Sequence, residues 1–449
     1  MKTSTILSAL AALTAVSATP TKTEKQPPSK RASLPTVTAS GNAFWAGDER
    51  FYIRGIDYQP GGSSGETDPL ADTKHCLRDI KKFKELGVNT IRVYMVDNSK
   101  NHDECMEALA DAGIYLVLDA NTPGYSINRA DPYLSYNAAY LQNVFATIDM
   151  FAKYDNLLAF FSGNEVINEE PGTTTSAPYV KAVTRDMKNY IKARGYRPIP
   201  VGYSAADVES NRMQTAHYFN CGPDEVRSDF FAFNDYSWCS TDFKTAGWDV
   251  KVRNFTDYGI PIFLSEYGCN DNTRDFGEIE ALMSDDMTGV YSGGLMYEYS
   301  MEDNDYGIVE IKGDKVEELQ PEFSNLAKAM SKYPAPSGDG GAAKTSAAVE
   351  CPTMDSNWEV DPDILPVIPK EAQKYMEDGA GKGQGFGGDG SQTAGDSGLS
   401  TENSTDASSP QGQSGSGGDD DSAAGRTGVG ALVVTGTALA ATLAGAIML

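Results

Sequence analysis

The chain has 449 residues, with 37 Lys and Arg against 63 Asp and Glu, giving a formal charge of −26. So acidic a chain repels phosphate backbones and anionic membrane surfaces, which excludes a nucleic-acid partner. Its 40% hydrophobic content is enough to bury a large core, while three His and six scattered Cys offer little metal chemistry, so neither a metal nor a cofactor is expected.

The chain opens on a processing signal. Lys2 precedes the apolar run Ile6–Val16 and the small-x-small stretch Val16-Ser17-Ala18. That run is too short to span a bilayer and reads as a secretory signal peptide over residues 1–18, the alternative being a buried N-terminal helix. Export bears on the cysteines. Cys76, Cys105, Cys221, Cys239, Cys269 and Cys351 are even in number and form no Cys-x-x-Cys, so three disulfides are expected rather than zinc. Spacing alone does not choose among the connectivities. Asn254-Phe255-Thr256 and Asn403-Ser404-Thr405 are candidate glycosylation sites at Asn254 and Asn403.

Between Phe51 and Tyr333 apolar strand-like runs alternate with amphipathic helical ones. Strands are predicted at Phe51–Gln59, Thr90–Asp97, Ile114–Ala120, Leu157–Glu165, Ile199–Asp207, Ser228–Trp238, Ile260–Gly268 and Gly293–Met301. Leu141, Val144, Phe145, Ile148, Phe151 and Ala152 mark one helical stripe, and Val180, Val183, Met187, Tyr190 and Ile191 another. Gly87, Gly113, Gly195 and Gly259 each follow a helical stretch, where a C-terminal cap belongs. Eight strand–helix repeats predict an α/β fold, a (β/α)8 TIM barrel forming a catalytic domain over residues 33–333. An open doubly wound sheet is the alternative, but no G-x-G-x-x-G follows the first strand.

From about Pro334 the texture changes. Residues 334–370, with Cys351 and a Pro-rich run to Pro369, are expected to form a strap docked on the barrel. Residues 371–424 are expected to be a disordered Gly/Ser/Asp-rich linker, since 379–418 holds 13 Gly in 40 residues and almost nothing apolar to offset the entropy of ordering. Val429–Leu449 carries no charge and follows the small residues Ser422-Ala423-Ala424 and the polar Gly425-Arg426-Thr427-Gly428. This pattern reads as a GPI-attachment signal over 425–449, removed when lipid is added at Ser422 or nearer Gly417 and Gly418. A retained tail anchor is the alternative. The expected location is the outer leaflet of the plasma membrane, held by the GPI lipid, or the cell wall.

In such a barrel the reactive groups project from the C-terminal ends of strands. The fourth predicted strand ends Phe161-Ser162-Gly163-Asn164-Glu165 and the seventh Phe263-Leu264-Ser265-Glu266-Tyr267-Gly268. Paired carboxyl groups across a barrel mouth suit glycosidic bond cleavage, with Glu165 as general acid/base and Glu266 as nucleophile. Their environments must split their pKa values; two solvated loop glutamates would be the bland alternative. Tyr58 and Gln59 close strand one, Tyr94 and Asp97 strand two, Asp119 strand three, Tyr203 strand five, Asn234 and Tyr236 strand six, and Tyr297 and Tyr299 strand eight. Tyrosine gives sugars a flat face and a hydroxyl, although it equally suits strand packing. His75 and His102 lack an acidic ligand cluster. Glu302-Asp303-Asn304-Asp305 lacks the closing Glu of a calcium loop, and is expected instead to bring Tyr306 towards the cleft.

The set Gly55-Ile56-Asp57-Tyr58-Gln59-Pro60, Arg92-Val93-Tyr94, Asn101-His102-Asp103, Gly163-Asn164-Glu165, Asn234 to Cys239 and Ser265-Glu266-Tyr267-Gly268 resembles the fungal cell-wall β-1,3-glucanosyltransferases of glycoside hydrolase family 72. The resemblance runs from about residue 35 to 352. It implies internal cleavage of a β-1,3-glucan donor, retention of the non-reducing portion on Glu266, and transfer of that portion to the end of an acceptor glucan. It also implies substrate contacts at Gln59, Tyr94, Asp119, Asn164, Tyr236, Tyr297 and Tyr306, to which Tyr58 and Asn234 are added here from their strand-end positions. The implied disulfides are Cys76–Cys105, Cys221–Cys351 and Cys239–Cys269. Many relatives carry a further cysteine-rich glucan-binding module; this chain resembles the branch without one. The alternatives are an endo-β-1,3-glucanase of the same fold and a catalytically silent wall-binding protein.

Overall fold

The computed structural model describes residues 34–63 and 65–392; the expected signal peptide, the sequon at Asn403 and the attachment site at Ser422 lie outside the described residues. Eight parallel strands close into a barrel: β1 (Ile53–Asp57), β2 (Thr90–Val93), β3 (Tyr115–Asp119), β4 (Leu157–Asn164), β5 (Val201–Ala206), β6 (Phe230–Asn234), β7 (Ile262–Tyr267) and β8 (Tyr291–Met296), with β8 pairing back to β1. Each falls within or overlaps a predicted run. These strands are buried on both faces, which is why they read as continuous apolar stretches rather than alternating ones.

The helices α1 (Thr73–Leu86), α2 (Asp103–Asp111), α3 (Ala138–Phe151), α4 (Ala177–Ala193), α5 (Arg212–Phe219), α6 (Trp248–Phe255), α7 (Glu278–Leu282) and α8 (Glu322–Lys332) cover the barrel. The predicted stripes on α3 and α4 are buried, with Phe145 stacked on Tyr190 at 4.2 Å. Helix α1 shows how the sequence sets its limits. The Asp72 carboxylate accepts the His75 amide at its start, and Gly87 adopts a left-handed φ of 76° at its end. No helix among the described residues is long and apolar enough to cross a membrane.

Two small antiparallel sheets went unpredicted, one of them the hairpin of Val309–Lys312 with Lys315–Glu318. Val37–Ser40, Ala43–Ala46 and Glu49–Phe51 form a three-stranded antiparallel sheet at the N-terminal end of the barrel. Its Phe44 packs on Phe230 and Phe263, each at 5.9 Å between centroids, and Phe161 joins them. These rings form an aromatic floor, above which the barrel interior turns polar.

All three disulfides have the pairing that the family resemblance implies. Cys221–Cys351 spans 130 residues and ties the strap to the barrel, where Trp358 is fully buried against Tyr218. A disulfide of this kind typically contributes about 2–4 kcal/mol. The strap reaches further than composition suggests. Residues 371–392, expected to be linker, include a helical turn at Lys374–Asp378 and dock on α3 through Ala380, on the β2 loop through Gly385 and on the β3 loop and the start of α3 through Ser391. Their glycines serve close backbone approach there, a use that composition does not distinguish from flexibility.

Candidate active site

The strand ends carry a graded set of polar groups over the aromatic floor. Arg92, from β2, lies 4.6 Å above the Phe161 ring and 4.1 Å from that of Tyr94. It is fully buried and donates to both carboxylate oxygens of Asp119, at 2.9 and 3.2 Å, and to Glu266 Oε1 at 3.2 Å. The Asp119 pair fixes the plane of the guanidinium, so the remaining nitrogen can be aimed at Glu266. Tyr94 Oη donates to Glu266 Oε1 at 2.7 Å, and Tyr236 Oη donates to Oε2 at 2.7 Å. Glu266 thus receives one cationic and two phenolic donors.

Glu165 lies in a different setting. It follows β4 directly and takes a left-handed φ of 47°, a costly conformation for a non-glycine residue that recurs where a side chain must be aimed. Its amide donates to the Ser204 carbonyl at 2.9 Å, and the Asn234 Nδ2 donates to its Oε1 at 2.8 Å. Asn234 is itself oriented. Its Oδ1 accepts from Ser265 Oγ at 2.8 Å and Ser204 Oγ at 3.1 Å, while its Nδ2 also reaches Asn164 Oδ1 at 3.1 Å. This network fixes which end of the amide faces Glu165, so an N–H, not a carbonyl, meets the carboxyl group.

Burial raises the pKa of both glutamates, because desolvation penalises the charged form. At Glu165 the nearby Glu266 adds to that effect, and the single amide donor only partly opposes it, leaving a value of about 8. At Glu266 the rise is opposed by Arg92, Tyr236 and Tyr94. Glu266 is thus the better stabilised carboxylate of the two, and Glu165 the one that burial and its charged neighbour push towards the protonated form. Asp57, also buried, has no hydrogen-bond partner on either carboxylate oxygen among the described residues, and burial raises it well above its ordinary range. Glu298 is raised to about 8 by burial as well, with an Asn304 amide donating at 2.9 Å.

Tyr94, Asp119, Asn164, Glu266 and Tyr297 line an open cleft, with Asn121, Thr122 and Pro123 on one rim. Tyr297 meets Tyr94, Tyr236 and Tyr306 edge-on at 6.4, 6.2 and 5.4 Å, and Tyr306 is half-buried. Faces and hydroxyls of these rings border the carboxyl pair.

Eight of the expected site residues thus gather at the mouth: Glu165, Glu266, Tyr94, Asn164, Asn234, Tyr236, Tyr297 and Tyr306. Asp119 stands one step behind, spent on Arg92. Gln59 is fully engaged with the chain: its Nε2 donates to the Thr67 carbonyl at 2.7 Å and its Oε1 accepts the Tyr94 amide at 3.1 Å. Tyr58 does not join the site. Its hydroxyl donates to Asp79 on α1 at 2.8 Å and its ring packs on Phe83 and Tyr299. Strand alternation explains this: Asp57 faces Arg92 and Glu266, so Tyr58 must face the helices. Asn254 is exposed on α6, open to a glycan.

Sequence reasoning assigned no role to Arg92, Ser204 or Ser265. For Arg92 a signal existed: a charge at the centre of the strand Thr90-Ile91-Arg92-Val93, buried throughout, must point at the barrel interior and find carboxylates there. Tyr236→Phe tests the electrostatic reading, because it keeps the ring and deletes one donor to Glu266. Loss of that donor raises the pKa of Glu266, so the acidic limb of the kcat/KM profile is expected to move to higher pH. The loss of a hydrogen bond to a charged group corresponds to a fall of about 10- to 100-fold in kcat/KM. A pH–rate profile with an unmoved acidic limb would contradict it.

The sequence profile described as glucanosyltransferase matches residues 27–334. The chain is 66% identical over 360 residues to the 1,3-beta-glucanosyltransferase gel1 of Aspergillus fumigatus, covering 80% of this chain and 79% of that one. It is 54% identical over 366 residues to the 1,3-beta-glucanosyltransferase GAS5 of Saccharomyces cerevisiae, covering 80% and 75%. A mutant of Saccharomyces cerevisiae Gas2p, solved in complex with laminaritetraose and laminaripentaose, superposes with a TM-score of 0.70 at 40% identity, covering 76% of each chain.

Proposed function

The chain belongs to the glucanosyltransferase family, glycoside hydrolase family 72, and from that premise we propose how its two carboxyl groups divide the reaction. It is a 1,3-β-glucanosyltransferase, which cleaves β-1,3-glucan internally and joins the retained fragment to another glucan chain. Glu165 gives its proton to the leaving glycosidic oxygen while a Glu266 carboxylate oxygen bonds to the anomeric carbon. The reducing-side fragment leaves with a free hydroxyl. Glu165, now a carboxylate, takes the proton from the 3-hydroxyl at the non-reducing end of the acceptor. That oxygen displaces Glu266, forming a new β-1,3 bond with net retention.

The observation that carries this division is the unequal set of donors: three on Glu266, one of them cationic, against one neutral amide on Glu165. Arg92 serves by holding Glu266 ionised and oriented, and Asp119 by holding Arg92. The tyrosines around Tyr297 offer surfaces for donor and acceptor sugars. Transfer rather than hydrolysis requires an acceptor hydroxyl to reach the covalent intermediate before water does, which aromatic acceptor contacts favour.

The leader at residues 1–18 and the tail at 425–449 support passage through the secretory pathway and a GPI lipid in the outer leaflet, with β-1,3-glucan of the wall as substrate. Product analysis of the secreted chain with a reduced laminari-oligosaccharide tests the reaction. Products longer than the substrate are expected; shorter products alone, even at millimolar acceptor, would make the enzyme an endo-β-1,3-glucanase.

A further inference from the structure

The docked residues beyond the strap proper reach the cleft from behind. Ala380 donates its amide to Tyr190 Oη at 2.8 Å, and the Gln142 side chain donates to the carbonyls of Ala380 and Lys382 at 2.8 and 3.0 Å. The chain then crosses the β2 loop, where the Gly385 amide donates to Asn98 Oδ1 at 2.9 Å. It ends along the β3 loop. The Ser391 amide donates to the Gly124 carbonyl at 2.8 Å, Asn137 donates to the Ser391 carbonyl at 2.8 Å, and Gln392 Nε2 donates to Ser126 Oγ at 2.8 Å. Asn98, Asn137 and Ser391 are buried.

This is a built interface. A Cβ at Gly383 would lie 2.2 Å from Asn98 Oδ1, and one at Gly388 would lie 2.1 Å from the Tyr125 hydroxyl. Gly385 has a φ of 63°, and a Cβ there would lie 2.2 Å from Asp97 Oδ1. Side chains at these positions would hold the segment away from the barrel. Its far end contacts the loop whose other side carries Asn121, Thr122 and Pro123 into the cleft lining. That loop closes on itself through reciprocal 3.0 Å hydrogen bonds between Thr122 and Tyr125, so its two sides move together. Asn121 brings a buried Oδ1 without a partner among the described residues, an acceptor left for a sugar hydroxyl.

We propose that residues 380–392 are a positioning segment for glucan binding, which holds the Asn121–Ser126 rim of the cleft in the arrangement that receives the sugar chain. The inference rests on the cleft being the glucan site. Part of the substrate grip then depends on a segment that composition reads as tether. Docking and binding are reciprocally linked: if the docked segment improves glucan affinity, bound glucan must stabilise docking by the same factor.

Two measurements on the full secreted chain test this. In the double variant Gly385→Val with Gly388→Val, trypsin is expected to cut after Lys382 where the wild-type chain resists. KM for laminari-oligosaccharide should rise about tenfold with kcat held within about twofold, the pattern of lost uniform binding. At a trypsin concentration high enough to cut the wild-type chain slowly after Lys382, saturating laminari-oligosaccharide is expected to slow that cleavage further. A released segment with unchanged KM would overturn the proposal. So would a loss of kcat and thermal stability with KM unmoved, which would mean a scaffold role alone, or the absence of substrate protection. A wild-type chain that fails to turn over glucan would instead count against the substrate reading, so the two failures are distinguishable.

Discussion

Glu266→Ala is expected to lower turnover of β-1,3-glucan by about 10⁴-fold or more, because the covalent intermediate loses the atom on which it forms. That corresponds to at least about 5.5 kcal/mol of lost transition-state stabilisation. The fold should survive. The substitution removes a buried anion from beside Asp119 and Glu298, and Arg92 keeps its two hydrogen bonds to Asp119. Circular dichroism and oligosaccharide binding should therefore stay close to wild type while product formation disappears. Azide distinguishes the roles of the two carboxyl groups. In Glu266→Ala it enters the vacated position and displaces the leaving group once, so the glycosyl azide should carry the inverted, α configuration. A β-azide from this variant would mean that the intermediate forms elsewhere and that the two roles are exchanged.

Much of this site was legible in the sequence for one physical reason. In a parallel barrel each strand is a short apolar run with a defined end, and the residue at that end faces the mouth whatever the helices do. Glu165, Glu266, Asn234 and Tyr236 follow from that rule. Tyr58 shows its limit. Alternation sends neighbours to opposite faces, so a shift of one position exchanges the cleft for the helix layer; only the partner Asp79 on α1 settles which face Tyr58 takes. Arg92 was visible as a charge inside a buried strand, but its partners come from β3 and β7, and no local pattern joins them. The N-terminal sheet escaped notice because strands of three or four residues carry too few positions for periodicity to register. Residues 371–392 were misread because glycine supports both disorder and close approach, and composition counts the two alike. The cysteine pairing came from the family resemblance, since six positions in sequence do not specify which pairs meet.

The counterpart at the acid/base position has a different signature. Glu165→Gln keeps the size of the side chain and its hydrogen-bonding capacity but removes the titrating proton, so glucan turnover should fall about 10²–10⁴-fold. An aryl β-laminarioside needs little protonation of its leaving group, and formation of its glycosyl-enzyme should slow far less. Equal losses on both donors would contradict the assignment. The pH behaviour follows from the same group. Burial, reinforced by Glu266, raises wild-type Glu165 to about 8, so cleavage, which needs the acid form, should decline as pH rises through that value. The variant should lack this limb. Stability carries the same sign. A carboxyl group whose folded pKa lies above its unfolded value favours the folded state fully below the unfolded value, and that contribution is lost as pH rises through about 8. Glutamine never ionises, so Glu165→Gln should melt near wild type at about pH 5 but above it at about pH 9, where the wild-type chain must bury a second anion beside Glu266. A melting curve at each pH measures this directly. Unchanged relative stability between them would mean that Glu165 does not hold its proton in the folded site. The first step of transfer would then lack its acid, however well the geometry is arranged.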